Sequence, residues 1–142
     1  MLIGQIALLI AALFAGAALF VSVAEHPARI EAGPEAGLAQ WKPSYRRAKF
    51  LQGCLALIGG VIAFCIWWRS LNQLWLIGSL LLLANWPFTL LALMKLNRRL
   101  ESAEPGPEAS ELLTRWGRLH AVRTLLGLGA ALAMLAALNW RL

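Results

Sequence analysis

Four long apolar runs, residues 2–23, 50–68, 74–94 and 119–140, dominate this 142-residue chain. Each is close to the ~20 residues that an α-helix needs to cross a bilayer. A helix in water keeps one polar face, whereas these runs are apolar all round, which suits burial or lipid. Four of them in one small chain leave too little polar sequence to clothe a soluble core. The composition agrees: 60% of residues are hydrophobic and 14% charged, against roughly 45–50% and roughly 25% in soluble domains. The chain therefore reads as all-α, an integral membrane four-helix bundle of two antiparallel hairpins forming one domain over residues 1–142. A cleaved secretory signal, cut near Val21-Ser22-Val23-Ala24, is the competing reading of the first run. It lacks a basic leader, since no Lys or Arg precedes Arg29, and its apolar stretch is too long.

The net charge of +6 is unevenly spread. Arg29, Lys42, Arg46, Arg47 and Lys49 flank the first connection, and Lys95, Arg98, Arg99, Arg115 and Arg118 the third. Only Arg69 and Arg141 lie at the other end. Basic connections stay cytoplasmic, so connections one and three are expected inside and both termini on the outer side of a cytoplasmic (inner) membrane. The basic excess reads as an orientation signal that meets lipid headgroups, and nucleic acid is not expected as a partner. Cys54 and Cys65 lie about 16 Å apart along one helix and cannot bridge each other.

Along the chain, Ala11, Ala12, Ala15, Gly16 and Ala18 offer small packing residues to the first span, which is expected to end at Pro27. Residues 29–44 read as a loop with a short interfacial helix near 36–41. Arg69-Ser70-Leu71-Asn72-Gln73 makes a tight hairpin. Pro87 should kink the third span. Residues 101–111 read as a solvated loop, with Ser110 and Glu111 opening the last helix. Of seven tryptophans, Trp67, Trp68, Trp75 and Trp140 map to the outer boundary as an aromatic belt. Trp41 and Trp116 map to the inner boundary, where belt and pocket readings both stand. Trp86 lies roughly 12–16 Å inside its helix and is assigned to a cavity.

The polar residues at membrane depth need a reason. Trp116, His120 and Arg123 share one face of the last helix by their four- and three-residue spacing. Glu25 and His26 sit at the matching depth of the first helix, Asn97 at the matching end of the third, and Tyr45 near the start of the second. The set reads either as a reaction centre or as the ion-paired clasp of the bundle, with Arg123 holding Glu25. Lys49, Arg98, Arg99 and Arg118 are assigned to headgroups. Glu25, His26 and His120 also offer donor types that suit zinc, iron or copper. Adjacent residues 25 and 26 point about 100° apart on a helix, so a metal is the secondary reading.

Four stretches carry a family resemblance. They are Val21-Ser22-Val23-Ala24-Glu25-His26-Pro27-Ala28-Arg29, Trp41-Lys42-Pro43-Ser44-Tyr45-Arg46-Arg47-Ala48, Trp86-Pro87-Phe88-Thr89-Leu90-Leu91, and Trp116 through Arg123. Together they resemble the small four-span membrane family named after fungal anthrone oxygenase. Lys95-Leu96-Asn97 departs from the Pro-Thr that members often carry before the Asn. The resemblance implies oxidation of an anthrone-like phenol to a quinone by molecular oxygen as co-substrate, with no other cofactor. In that chemistry His120 is the best base, with Glu25 orienting it or His26 replacing it. Arg123 or Tyr45 would steady the oxyanion, and Trp41, Trp86 and Trp116 would sandwich a flat ligand near Asn97. The expected partners are membrane lipids and a hydrophobic small molecule, with a homo-oligomer left open. The alternatives are a non-catalytic module that binds a lipid, quinone or hydrophobic ligand, and a small scaffold or transporter subunit.

Overall fold

The computed structural model describes residues 1–140; Arg141, assigned above to the outer end, lies outside the described residues. Four helices are long and apolar enough to cross a membrane: α1 Leu2–Glu31, α2 Gly33–Ser70, α3 Gln73–Ser102 and α4 Pro107–Asn139. Among the described residues there is no strand. Each helix packs on the next, and α4 closes onto α1. The large apolar side chains that face outward, among them Leu9, Phe20, Phe50, Leu57, Leu91, Leu125 and Leu132, suit lipid, where apolar surface carries no hydration penalty.

The helices outrun the apolar segments. At about 1.5 Å per residue, the 38 residues of α2 span about 57 Å, far more than the ~30 Å bilayer core. The excess in every helix lies at the end that carries connections one and three, so the loop expected over 29–44 is corrected to helix broken only at Ala32, and the loop expected over 101–111 holds but shrinks to residues 103–106. Pro27 does not end α1. A wide π turn over Val21–Glu25 comes just before it, and His26–Glu31 continues as α-helix. A π turn shifts the hydrogen-bond register, which relieves the clash between a proline ring and the carbonyl four residues back. The chain reverses at Ala32 and Gly33, whose φ of 87° is open to glycine without cost. Pro43 is then absorbed inside α2. The last helix starts at Pro107 rather than Ser110, because proline has no N–H to leave unpaired in a first turn.

The remaining features follow local chemistry. Leu71, at φ 57°, ends α2, and Asn72 Oδ1 accepts from Leu74 N at 3.0 Å to cap α3. The third helix is interrupted at Ala84, with a π segment over Thr89–Leu93 after Pro87, where the kink is expected. The α2–α3 hairpin closes tightly at Gly60: a Cβ there would meet Leu83 Cγ at 2.5 Å, and the Gly60 carbonyl accepts from Ser79 Oγ at 2.8 Å. Across the bundle Thr124 Oγ1 contacts Ser22 Oγ at 2.8 Å and donates to the Ala18 carbonyl at 3.1 Å, tying α4 to α1.

Burial sorts the small residues and the tryptophans. Ala11, Ala15 and Ala18 are buried, whereas Ala12 and Gly16 face outward and take no part in packing. Trp68 and Trp140 are exposed, as a belt requires. Trp75 is corrected from belt to core: it is 1% exposed and lies against the Gly4 position of α1. Trp75→Leu is therefore expected to cost about 2 kcal/mol of stability, and Trp68→Leu less than about 0.5 kcal/mol. Thermal unfolding of the two variants side by side checks this, and equal losses would contradict it.

Candidate functional site

Toward the end with connections one and three, α4 presents Trp116 and His120 on its buried face. Their rings stack with centroids 4.7 Å apart and planes within 7°. Trp116 is fixed by a hydrogen bond from its Nε1 to Asn97 Oδ1 of α3 at 2.9 Å. From α2, Trp41 and Tyr45 stack at 4.7 Å, and the Trp41 ring meets Trp116 edge-on at 5.9 Å. Trp41 and Trp116 are buried, so the pocket reading holds for both and the belt reading does not.

These rings wall a cavity of about 220 Å³, whose lining includes Trp41, Tyr45, Trp86, Asn97, Trp116, His120 and Arg123. An engineered cavity of roughly 150 Å³ holds benzene, so this one accommodates more than a single ring. Its wall is mostly apolar, but six buried polar atoms on its lining side chains have no hydrogen-bond partner: Trp41 Nε1, Asn85 Oδ1, Thr89 Oγ1, His120 Nδ1, His120 Nε2 and Arg123 Nε. Buried polar atoms are seldom left unpaired, and their gathering at one cavity marks a place for a polar ligand. The Arg123 guanidinium lies 5.7 Å from the Phe14 ring of α1.

Trp86 lines the cavity as expected, but at its rim. It is 43% exposed, and its Nε1 donates to the Gly53 carbonyl of α2 at 3.2 Å. With the exposed Leu90 and Lys49 it forms the rim of the cavity, between α2 and α3. Lys49, assigned above to headgroups, thus lines the cavity, with its ammonium 5.0 Å from the Tyr45 ring.

Glu25 and His26 do not line the cavity. Glu25 pairs neither with Arg123 nor with His120. Its Oε1 accepts from Arg29 Nη2 at 3.1 Å, Gln40 Nε2 at 2.5 Å and Ser44 Oγ at 2.9 Å. The reason is the helix that continues through Pro27, which places Arg29 one turn beyond Glu25 on the same face. Arg29 Nη1 lies 3.1 Å from His26 Nδ1, its Nε donates to Gln40, and its Cζ sits 5.6 Å over Trp116. The His26 ring in turn lies 5.2 Å from Trp116. The expected clasp exists, but Arg29 makes it in place of Arg123, and Arg29 and Ser44 bring it to the cavity beside the aromatic wall. Among the described residues no group of three or more His, Cys, Asp or Glu side chains converges as metal donors, so Glu25, His26 and His120 are not assembled around one ion.

Gly117 shows how tightly this wall is built. A Cβ there would overlap the His26 imidazole. Gly117→Ala should displace that ring and destabilise the protein by about 1–3 kcal/mol. A thermal midpoint equal to that of the parent would refute the close approach.

Sequence reasoning missed Arg29, Gln40, Ser44, Gln52, Asn85 and Thr89. The i,i+4 spacing of Glu25 and Arg29 is a visible signal once the helix is read through the proline. Asn85 and Thr89 flank Pro87 and read first as parts of a kink.

Fold and site together define a multi-pass helical membrane protein with a cavity set among four helices. Residues 41–133 match the family model described as anthrone oxygenase, and the chain belongs to that family. The matched stretch contains all seven cavity-lining residues singled out from the sequence and leaves out Glu25, His26 and Arg29. No curated protein and no solved structure matches the chain.

Proposed function

We propose that the protein is a membrane-embedded oxidoreductase that oxidises a flat, hydrophobic, anthrone-like phenol with molecular oxygen. The observation that carries this reading is the presence of unpartnered His120 and Arg123 atoms beside a stacked aromatic wall on one cavity. His120 takes a proton from the acidic methylene of the substrate, and Arg123 or Tyr45 holds the oxyanion that results. The electron-rich anion passes one electron to oxygen, and the radical pair combines to form a carbon–oxygen bond. The proton returns from His120 to the peroxide. Loss of water, which takes the second methylene hydrogen, leaves the carbonyl; overall CH2 + O2 gives C=O + H2O.

In this scheme molecular oxygen is the only co-substrate, and the chain supplies a base, a cation and a dry pocket. Low polarity strengthens the hold on the oxyanion. The partners are membrane lipids and the hydrophobic substrate. The basic connections one and three support a cytoplasmic side for the cavity end of the bundle, in a cytoplasmic (inner) membrane.

The test is oxygen uptake and quinone formation when an anthrone is given to the purified protein in lipid nanodiscs. Uptake above that of empty nanodiscs is expected. Anthrone that binds without turnover would make the protein a binding module and overturn the enzymatic reading.

A further inference from the structure

The reacting end of the cavity uses His120 and Arg123 of α4, but polar groups also line it on the α3 side. Asn85 is 2% exposed on α3, in the middle of the membrane span. Its Nδ2 donates to the Leu82 carbonyl at 3.0 Å and to the Leu81 carbonyl at 3.3 Å. Two carbonyl oxygens can only accept, so the amide has one orientation. Its Oδ1 is thereby left as a buried acceptor with no partner, on a residue that lines the cavity. One turn on, Thr89 Oγ1 is also buried and unbonded. A helical threonine ordinarily returns its hydroxyl to the carbonyl of the preceding turn; this one, at the start of the π segment, does not. Gln52 of α2, 4% exposed, lines the same cavity.

The level of this group is set by the packing. The Gly4 position meets both Trp75 and Leu138, which puts those two side chains at one height. Counting from them at about 1.5 Å per residue, Asn85 lies roughly 12 Å nearer the outer end than His120, and Thr89 roughly 6 Å, near the height of Arg123. The polar lining of the cavity thus runs from His120, beside the stacked aromatics, outward to Asn85.

We propose that Asn85 and Thr89 are specificity-determining residues of this cavity: they form an uncharged subsite that accepts a hydrogen bond from a free hydroxyl on the ligand, one not already bonded to a ring carbonyl. The fixed Asn85 Oδ1 acceptor requires a donor. A hydroxyl satisfies it, whereas a methoxy group or a bare ring leaves it unpaired, and a site built to bond a hydroxyl discriminates strongly against analogues without one. The proposal rests on the cavity being the ligand site, but not on turnover.

The test is anaerobic binding to the protein in nanodiscs, followed by tryptophan fluorescence quenching. The probes are 2-hydroxyanthrone, whose hydroxyl has no ring carbonyl beside it to bond, and its methoxy analogue. The parent protein should bind the hydroxy probe about tenfold or more tightly. Asn85→Leu and, separately, the near-isosteric Thr89→Val should each shrink that preference while the methoxy probe binds as before. Thr89→Val keeps the test valid should Asn85→Leu fail to fold. An undiminished preference in both variants, or no binding of either probe, overturns the proposal. Hydroxyl-dependent binding with no oxygen uptake when air is admitted would sink the enzymatic reading and leave the subsite standing.

Discussion

His120→Ala should lower anthrone-dependent oxygen uptake by about 10²–10⁴-fold, the usual contribution of a positioned general base. The geometry sets this expectation. His120 is 2% exposed, stacked on Trp116, and has both ring nitrogens unbonded. The imidazole is held by packing rather than by a hydrogen bond, so His120→Ala removes both a buried ring and the base. His120→Phe separates the two roles, since it keeps an aromatic ring against Trp116 and removes the base. The expected result is that both variants bind the anthrone anaerobically and neither turns it over. Uptake at the parent rate in His120→Phe would exclude proton transfer by this residue.

Glu25→Ala should destabilise the protein by about 3 kcal/mol, the low end of what removing one partner of a buried ion pair costs, because Glu25 itself is partly exposed. Arg29 has a side chain only 2% exposed, against 22% for Glu25. The loss of the carboxylate therefore strands the guanidinium with Gln40 and His26 as its remaining partners. Ser44 and Gln40 lose their acceptor at the same time. Glu25→Ala/Arg29→Leu should recover part of the loss, because no unpaired charge stays behind and residues in contact do not behave additively. Thermal unfolding of the parent, of Glu25→Ala and Arg29→Leu singly, and of the double variant is the measurement. A double variant that equals the sum of its two singles would show that the pair is not coupled.

Two features were legible for local reasons. Span count and hairpin order follow from the apolar runs and the five-residue link at Arg69–Gln73. The shared face of Trp116, His120 and Arg123 follows from helical spacing, and the structure brings all three to the cavity wall. The prolines misled for a local reason as well. Pro27 and Pro43 forbid a regular hydrogen bond, but a π turn or the missing bond itself lets the helix continue, and sequence alone does not say which solution the chain adopts. Trp75 misled because its position along the helix matches the boundary; only the glycine opposite it on α1 makes room for it in the core.

The sequence by itself determined the solvent and the periodicity: a chain this apolar belongs in lipid, and residues three and four apart on a helix share a face. Partnership was decided only by the tertiary structure. Whether Glu25 meets Arg123, His120 or Arg29, and whether Asn85 is a spent amide or a free acceptor, depends on which side chains and carbonyls the other helices bring within hydrogen-bond distance. Hydrogen bonds and ion pairs act over a few ångströms, a range that sequence spacing reaches within one helix and only packing sets between two.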